Sequence, residues 1–480
     1  MTVANSQHAP WKRTSRTKIV ATIGPACSGV DRLVELVRAG VDVFRINTAH
    51  GTRDDHQAAL NAVRAAEERL ESPVGVLVDL AGPKMRLTEL DGGEVQCVTG
   101  ESVRILRAGP PGPGELASAY LPLLDELRPG NRVMLADGTV SLLVERVEPG
   151  AAYCTVVQGG VVRSRQGINL PGVKLSAPAV SPEDAANAEW AATAGADYIS
   201  LSFVRRADDV RGLRRLLRRL GAESHICAKI EKPEALADLE AIIEEADCVM
   251  VARGDLGVEI DIAQMAVVQK RIVAACRKAF RPVIIATQML DSMHHSRLPT
   301  RAEATDVANA ILDGADACML SGETAVGKYP VESVEMMHRI AIATEPLLQR
   351  PPVVRSAPGI SPITAATTSS AVEIAESLGA KLVIVASASG LSALCVSQQR
   401  GAVPIVGVSE SAATLRRLCL HWGVIPLPNM PLQDDSRLLD AIISRGLATG
   451  DLTTGDRLIL LSGTGLPTSR HNMLLVHEIG

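Results

Sequence analysis

Short apolar runs rich in Val and Ile alternate along much of the chain with amphipathic stretches of helical length. Three come early: Lys18-Ile-Val-Ala-Thr-Ile-Gly-Pro25, Val41-Asp-Val-Phe-Arg-Ile-Asn-Thr48 and Val74-Gly-Val-Leu-Val-Asp79. Five more follow at Tyr198 to Val204, His225 to Glu231, Cys248 to Leu256, Pro282 to Met289 and Ala317 to Glu323. Near-continuous apolar runs of this length, separated by helices, predict parallel strands buried on both faces. Strand-helix units with right-handed crossovers, eight in number, close into a (β/α)₈ TIM barrel whose reactive groups sit at the carboxyl ends of the strands.

The third run is followed not by a helix but by a stretch rich in Gly, Val and turn signals. Within it, Asn131-Arg-Val-Met-Leu-Ala-Asp-Gly138 and Thr139-Val-Ser-Leu-Leu-Val-Glu145 predict a hairpin turning at Asp-Gly. The pattern is that of a small all-β domain inserted after strand three. A helix ending near Ala343 gives way to a segment punctuated by Pro351, Pro352, Pro358, Gly359 and Pro362, which reads as a linker. Beyond it, apolar runs at Leu382-Val-Ile-Val-Ala386, Pro404-Ile-Val-Gly-Val408 and Arg457-Leu-Ile-Leu-Leu461 alternate with helices and predict an open α/β sheet. The expected division is a tail (1–16), a barrel (17–84 and 177–345), a β-barrel-like insert (85–176), a linker (346–362) and a C-terminal α/β domain (363–480).

Each predicted barrel strand ends in polar chemistry. Strand two ends in Arg45, Asn47 and His50, and strand three in Asp79 followed by Lys84 and Arg86. In Lys229-Ile-Glu231 the period of two aims a cation and an anion into the barrel mouth together. Asp255, in Arg253-Gly254-Asp255-Leu256-Gly257, adds a second carboxylate beside glycines that let backbone approach a ligand. Mg²⁺ takes one or two carboxylates and completes its octahedron with water and substrate oxygens, so Glu231 and Asp255 suffice as protein ligands. Strand seven ends in Thr287 and strand eight in Ser321-Gly-Glu-Thr324, where barrels often build a phosphate site. Singly, these residues read as a buried ion pair, a turn and a core hydroxyl. A barrel points all of them at one place, and jointly they predict an active site.

Composition narrows the field. A net charge of −5 and only three Phe, four Tyr and three Trp in 480 residues argue against nucleic-acid binding. The nine cysteines are scattered without metal or redox spacing and predict reduced, buried thiols. The polar, basic first residues lead into no apolar signal region, and no apolar run is long enough to span a bilayer, so a cytoplasmic protein without membrane association is expected.

The segments Arg45-Ile-Asn-Thr-Ala-His-Gly51, Asp79-Leu-Ala-Gly-Pro-Lys-Met-Arg86, Lys229-Ile-Glu231, Ala252 to Gly257, Ala286-Thr-Gln-Met-Leu290, Pro299-Thr-Arg-Ala-Glu303 and Met319-Leu-Ser-Gly-Glu-Thr324 resemble, in sequence and in order, those of pyruvate kinases. The likeness runs from about residue 16 to the end. It implies transfer of the phosphoryl group of phosphoenolpyruvate to ADP, giving pyruvate and ATP in glycolysis. It further implies a lid formed by the insert, a C-terminal domain for a phosphorylated effector, and a homotetramer. Residue by residue it implies that Lys229 lies beside the transferring phosphoryl group and Arg45 grips substrate phosphate. Gly254, Asp255, Thr287 and Ser321 would contact substrate, and Asn47, His50 and Arg86 the nucleotide. Glu231 and Asp255 would bind Mg²⁺, with Mn²⁺ as an alternative ion, and Thr287 would stand near the proton delivered to the enolate. Two other readings use the same residues: a barrel lyase or aldolase acting through a Mg²⁺-stabilised enolate, and a catalytically dead, ligand-sensing relative.

This chain departs from the family pattern at three places. Many members bind K⁺ through a Ser where this chain has Ala49, and carry a Glu where it has Lys84; the lysine ammonium can serve the cation's charge role, which predicts K⁺-independent activity. The effector loop Ser387-Ala-Ser-Gly-Leu-Ser392 has Ala388 where members activated by sugar bisphosphates often carry Lys. Ser387, Ser389, Gly390 and Ser392 would remain for a different phosphorylated ligand. Gln166 stands where a lid Lys is common, with Arg165 next to it.

Overall fold

The computed structural model describes residues 15–480 apart from 84, 174–175, 350–358, 433 and 464–472. Strands Lys18–Thr22, Val43–Asn47, Gly75–Asp79, Tyr198–Leu201, His225–Ile230, Cys248–Ala252, Val283–Ala286 and Ala317–Leu320 close into a barrel in chain order. Every neighbouring pair is parallel, including the closing pair of first and eighth. Alternation explains why the runs look apolar throughout. Val20, Val43, Leu77, Met250, Ile284 and Met319 pack together inside the barrel, while their neighbours Ile19, Phe44, Val76, Val249, Ile285 and Cys318 pack with the outer helices.

The helices begin where local chemistry satisfies their free N–H groups. Arg53–Leu70, Pro182–Thr193 and Arg301–Asp313 each start with a capping box, formed by Thr52 with Asp55, Ser181 with Asp184 and Thr300 with Glu303. The basic stretch after strand four is the helix Ala207–Arg219, which buries Val210, Leu213, Leu216 and Leu217 and turns its arginines outward.

Several strands stop earlier than their sequence suggests: strand four ends at Leu201, strand five at Ile230 and strand seven at Ala286. Strand six ends at Ala252 and the polar residues after it form a helix, Arg253–Glu259, not an extension or a turn; strand eight ends at Leu320, before the helical turn Gly322–Ala325. Ser15 and Arg16, read as tail, are anchored: the Ser15 hydroxyl is 2.8 Å from His338 Nδ1, and the Arg16 N–H donates to the Glu345 carboxylate.

The insert carries a six-stranded sheet and a separate two-stranded one, around a core that includes Ile105, Leu116, Val133, Leu135, Val140 and Leu142. Its hairpin pairs Arg132–Leu135 with Val140–Val147 in antiparallel register. The turn is wider than the two-residue Asp-Gly form, because Ala136–Gly138 makes a 3₁₀ turn before the second strand starts at Val140. One short helix, Leu123–Glu126, interrupts the β pattern.

The C-terminal sheet runs in the order Val424–Pro426, Ile405–Val408, Leu382–Ala386, Arg457–Ser462, Met473–Glu478, the last strand antiparallel to its neighbour. Its residues also close the amino-terminal end of the barrel. Cys419 and Leu420 join the barrel's inner cluster, and Lys18 Nζ donates to Val424 O at 2.7 Å and to Asp42 Oδ1 at 3.2 Å. The Tyr198 hydroxyl donates to Arg417 O at 2.8 Å, and the buried Arg400 guanidinium lies 2.9 Å from Asp316.

Candidate active site

Strand two buries Ile46 among the helices, so Arg45 and Asn47 face the barrel mouth, and its register places Asn47 beside Asp79 of strand three. Asp79, 1% exposed, is the centre of the arrangement. Its Oδ2 accepts from Arg45 Nε at 2.8 Å and Nη2 at 2.5 Å, its Oδ1 accepts from the Ser200 hydroxyl, and Lys229 Nζ stands 3.3 Å away. Burial by itself would raise the Asp79 carboxyl, but the charges of Lys229 and Arg45 and the Ser200 hydrogen bond hold it at about 2.

Lys229 donates to the Ser202 hydroxyl at 2.7 Å and lies 3.0 Å from Glu231. Desolvation opposes its charge, yet the carboxylates of Asp79 and Glu231 keep the ammonium above the ordinary lysine value. Glu231, 1% exposed, accepts the Phe203 N–H at 2.6 Å. That residue is held at φ 54°, a conformation an aromatic residue rarely adopts. The loop after strand three can pass this point because Gly82 lacks a Cβ, which would stand 2.7 Å from the Ser202 Cβ.

Arg45, Asn47, His50, Arg86, Lys229, Glu231 and Asp255 all line one cavity of ≈ 120 Å³, together with Ala49 and Asp79. The structure therefore gathers the residues singled out on strands two, three, five and six. Arg86 reaches it from the base of the insert, its Nη1 donating to Arg165 O at 3.2 Å. Gly254 and Thr287 meet beside it: the Gly254 N–H donates to Thr287 Oγ1 at 2.7 Å, and the hydroxyl donates to Ala286 O at 2.6 Å. Thr287 and Gln288 have φ values of 71° and 54°, and Arg253 Nη2 braces the turn by donating to Thr287 O at 2.8 Å. Such backbone in a β-branched residue is strained and clusters at functional sites. Ser321 directly follows strand eight without lining the cavity, its N–H donating to Glu323 at 2.7 Å. Lys84 lies outside the described residues.

A family model described as pyruvate kinase, barrel domain, matches residues 14–334, and one described as pyruvate kinase, alpha/beta domain, matches residues 365–477. The chain belongs to the pyruvate kinase family. It is 39% identical to the pyruvate kinase of Geobacillus stearothermophilus over 97% of this chain and 80% of that protein. It is 39% identical to that of Mycobacterium tuberculosis strain H37Rv over 97% and 99% respectively. A crystal structure of a pyruvate kinase from Cryptosporidium parvum superimposes with a TM-score of 0.90 at 32% identity, covering 97% of each chain.

Pyruvate kinases use a divalent cation, and the residues here fit one. Burial pushes Glu231 upward and the nearby Asp255 carboxylate adds to this, against the pull of Lys229. Two like charges sharing a closed cavity favour a bound cation over solvent. No cluster of three or more His, Cys, Asp or Glu that could hold a metal occurs among the described residues.

Ser202 was not among the predicted site residues, and Asp79 was read as a polar strand end with no role assigned to it. Asp79 ends a visible strand, but its role as a counter-ion to two cations depends on strands two and five arriving on either side. The serine loop of the C-terminal domain lies elsewhere, where Ala388 and Ser389 line a cleft of ≈ 550 Å³ with Arg214, Arg218 and Arg417. Ser387 and Ser392 are buried, and the Gly390 N–H donates to the Ser387 hydroxyl at 3.1 Å.

Proposed function

We propose that this pyruvate kinase transfers the phosphoryl group of phosphoenolpyruvate to ADP with Mg²⁺ held by Glu231 and Asp255, independently of K⁺. The observation that carries this reading is Lys229, buried between Asp79 and Glu231 at the wall of a cavity that also gathers Arg45 and Asp255.

Phosphoryl transfer asks little covalent help of a protein; it asks for alignment and for positive charge around the transferring group. Arg45, locked to Asp79 through Nε and Nη2 and donating from Nη1 to Thr22 Oγ1 at 3.2 Å, turns its remaining N–H groups toward substrate phosphate. Lys229 lies beside the transferring group. As the bond from phosphorus to the enol oxygen breaks and one to the ADP β-phosphate forms, negative charge collects on that oxygen, and a fixed ammonium stabilises it. A divalent cation held by Glu231 and Asp255 would supply Lewis-acid charge neutralisation there. The enolate then takes a proton at carbon through water near Thr287, whose own hydroxyl is too weak an acid to be the ultimate source. His50, Asn47 and Arg86 mark the nucleotide side, over which the insert serves as a lid.

Ala49 contributes no side-chain oxygen to this cavity, which supports K⁺ independence, with Lys84 as the cation's substitute. The serine loop is assigned to a phosphorylated effector other than a sugar bisphosphate, and the assembly to a homotetramer. No helix among the described residues is long and apolar enough to cross a membrane, consistent with a cytoplasmic location.

A coupled assay of pyruvate formation from phosphoenolpyruvate and ADP, with and without Mg²⁺, tests the reading. Metal-dependent turnover is expected. No turnover would favour a ligand-sensing relative or a carbon–carbon lyase, neither of which moves phosphate from phosphoenolpyruvate to ADP.

A further inference from the structure

Behind the two carboxylates assigned to the metal lies a second buried ion pair that the reaction does not use. Lys232 is 4% exposed and its Nζ stands 2.6 Å from Glu259 Oε1. Lys232 directly follows Glu231. Glu259 is the last residue of the helix Arg253–Glu259, which carries Asp255. The chain neighbour of one proposed ligand is therefore bonded to the far end of the element that bears the other.

The surroundings keep this link taut. Glu259 is 6% exposed, its Oε1 also receives Asn169 Nδ2 of the insert at 3.5 Å, and its Oε2 is buried without a hydrogen-bond partner. Lys232 Nζ lies 5.9 Å from the Phe203 ring centroid, and the Phe203 N–H is the group that holds Glu231. A buried ion pair with an orphaned oxygen is a poor way to gain stability, since an apolar pair of similar volume is often as good or better. What it does provide is a fixed distance.

We propose that Lys232 and Glu259 are positioning residues whose ion pair sets the separation between Glu231 and Asp255 and so tunes affinity for the divalent cation. This rests on the assignment of Glu231 and Asp255 as metal ligands.

The test measures Mn²⁺ binding to the full-length, substrate-free enzyme by the electron paramagnetic resonance signal of free Mn²⁺, alongside kinetics. The double variant Lys232→Met with Glu259→Met removes both charges and leaves neither stranded. It is expected to melt within a few degrees of the parent, to bind Mn²⁺ about tenfold more weakly, and to raise the KM for Mn²⁺ by a similar factor with a smaller change in kcat. A folded double variant with Mn²⁺ affinity within twofold of the parent overturns the proposal. Should that variant not fold, Lys232→Arg, which keeps the charge but changes the span, carries the test: at least a threefold loss of affinity at unchanged melting temperature supports the proposal, and unchanged affinity overturns it. Glu231→Gln is measured beside them. If it binds Mn²⁺ like the parent, the ligand assignment itself fails, a result distinct from failure of the strut.

Discussion

Replacing Asp79 by Asn removes one charge from the middle of the site while keeping its shape. The carboxylate faces Arg45 at 2.5 and 2.8 Å and Lys229 at 3.3 Å, with Ser200 on its other oxygen. Holding a carboxyl at about 2 instead of its ordinary 3.8 corresponds to about 2 kcal/mol of folded-state stability, at about 1.4 kcal/mol per tenfold. Asparagine also leaves two buried cations facing an amide, and stranding one partner of such a pair costs about 3–5 kcal/mol. The variant should therefore lose between about 2 and 5 kcal/mol at pH 7. The sign of the pH dependence follows from the direction of the shift. A carboxyl whose folded value is depressed contributes fully above its unfolded value, and the contribution fades as pH falls toward the folded value of about 2. Urea unfolding of parent and Asp79→Asn at pH 7, 5 and 3.5 should show a gap that is constant between the first two and narrower at the third. A gap below about 0.5 kcal/mol at pH 7, or one that widens in acid, would refute the reasoning, because either outcome means Arg45 and Lys229 do not depend on this charge.

Lys229→Met should lower kcat by about 10²–10³, the effect of removing one preorganised partner worth about 2.7–4 kcal/mol, as a coupled assay checks; because it also strands the buried Asp79 and Glu231 carboxylates, urea unfolding should show a loss of about 3–5 kcal/mol. Rates in sodium or Tris salts should not rise manyfold on adding KCl, whereas Lys84→Glu should lose activity in potassium-free buffer and recover it with KCl. Arg400→Met removes the ion-pair partner of the fully buried Asp316 carboxylate, which keeps hydrogen bonds from Gln398 and the Val283 N–H and the nearby charge of Arg277, and should lower unfolding stability by about 3 kcal/mol in urea titrations.

The barrel was legible because both faces of each strand are buried, so Val and Ile fill successive positions and the runs stand out. The convergence of Lys229 and Glu231 was legible from a spacing of two. The helix Arg253–Glu259 was hidden by Gly254 and Gly257, which lower helical propensity; tertiary contacts at the strand end, among them the bond from Gly254 to Thr287, override it. The antiparallel final strand Met473–Glu478 was missed because it lies at the sheet edge, half exposed, and its short apolar run Met473 to Val476 passes at once into the polar His477 and Glu478. The central place of Asp79 could not be read from its own segment, since its partners come from strands two, four and five.

The way Leu420, Cys419 and the Val424 carbonyl meet the barrel's inner residues has an evolutionary consequence. This barrel borrows its bottom. Cutting the chain after the eighth barrel helix would uncap a shaft with a lysine at its foot and open the barrel's inner cluster to water. Any module exchanged for the C-terminal one would have to bring along two apolar plugs and one acceptor oxygen, so the C-terminal domain cannot drift freely from the barrel.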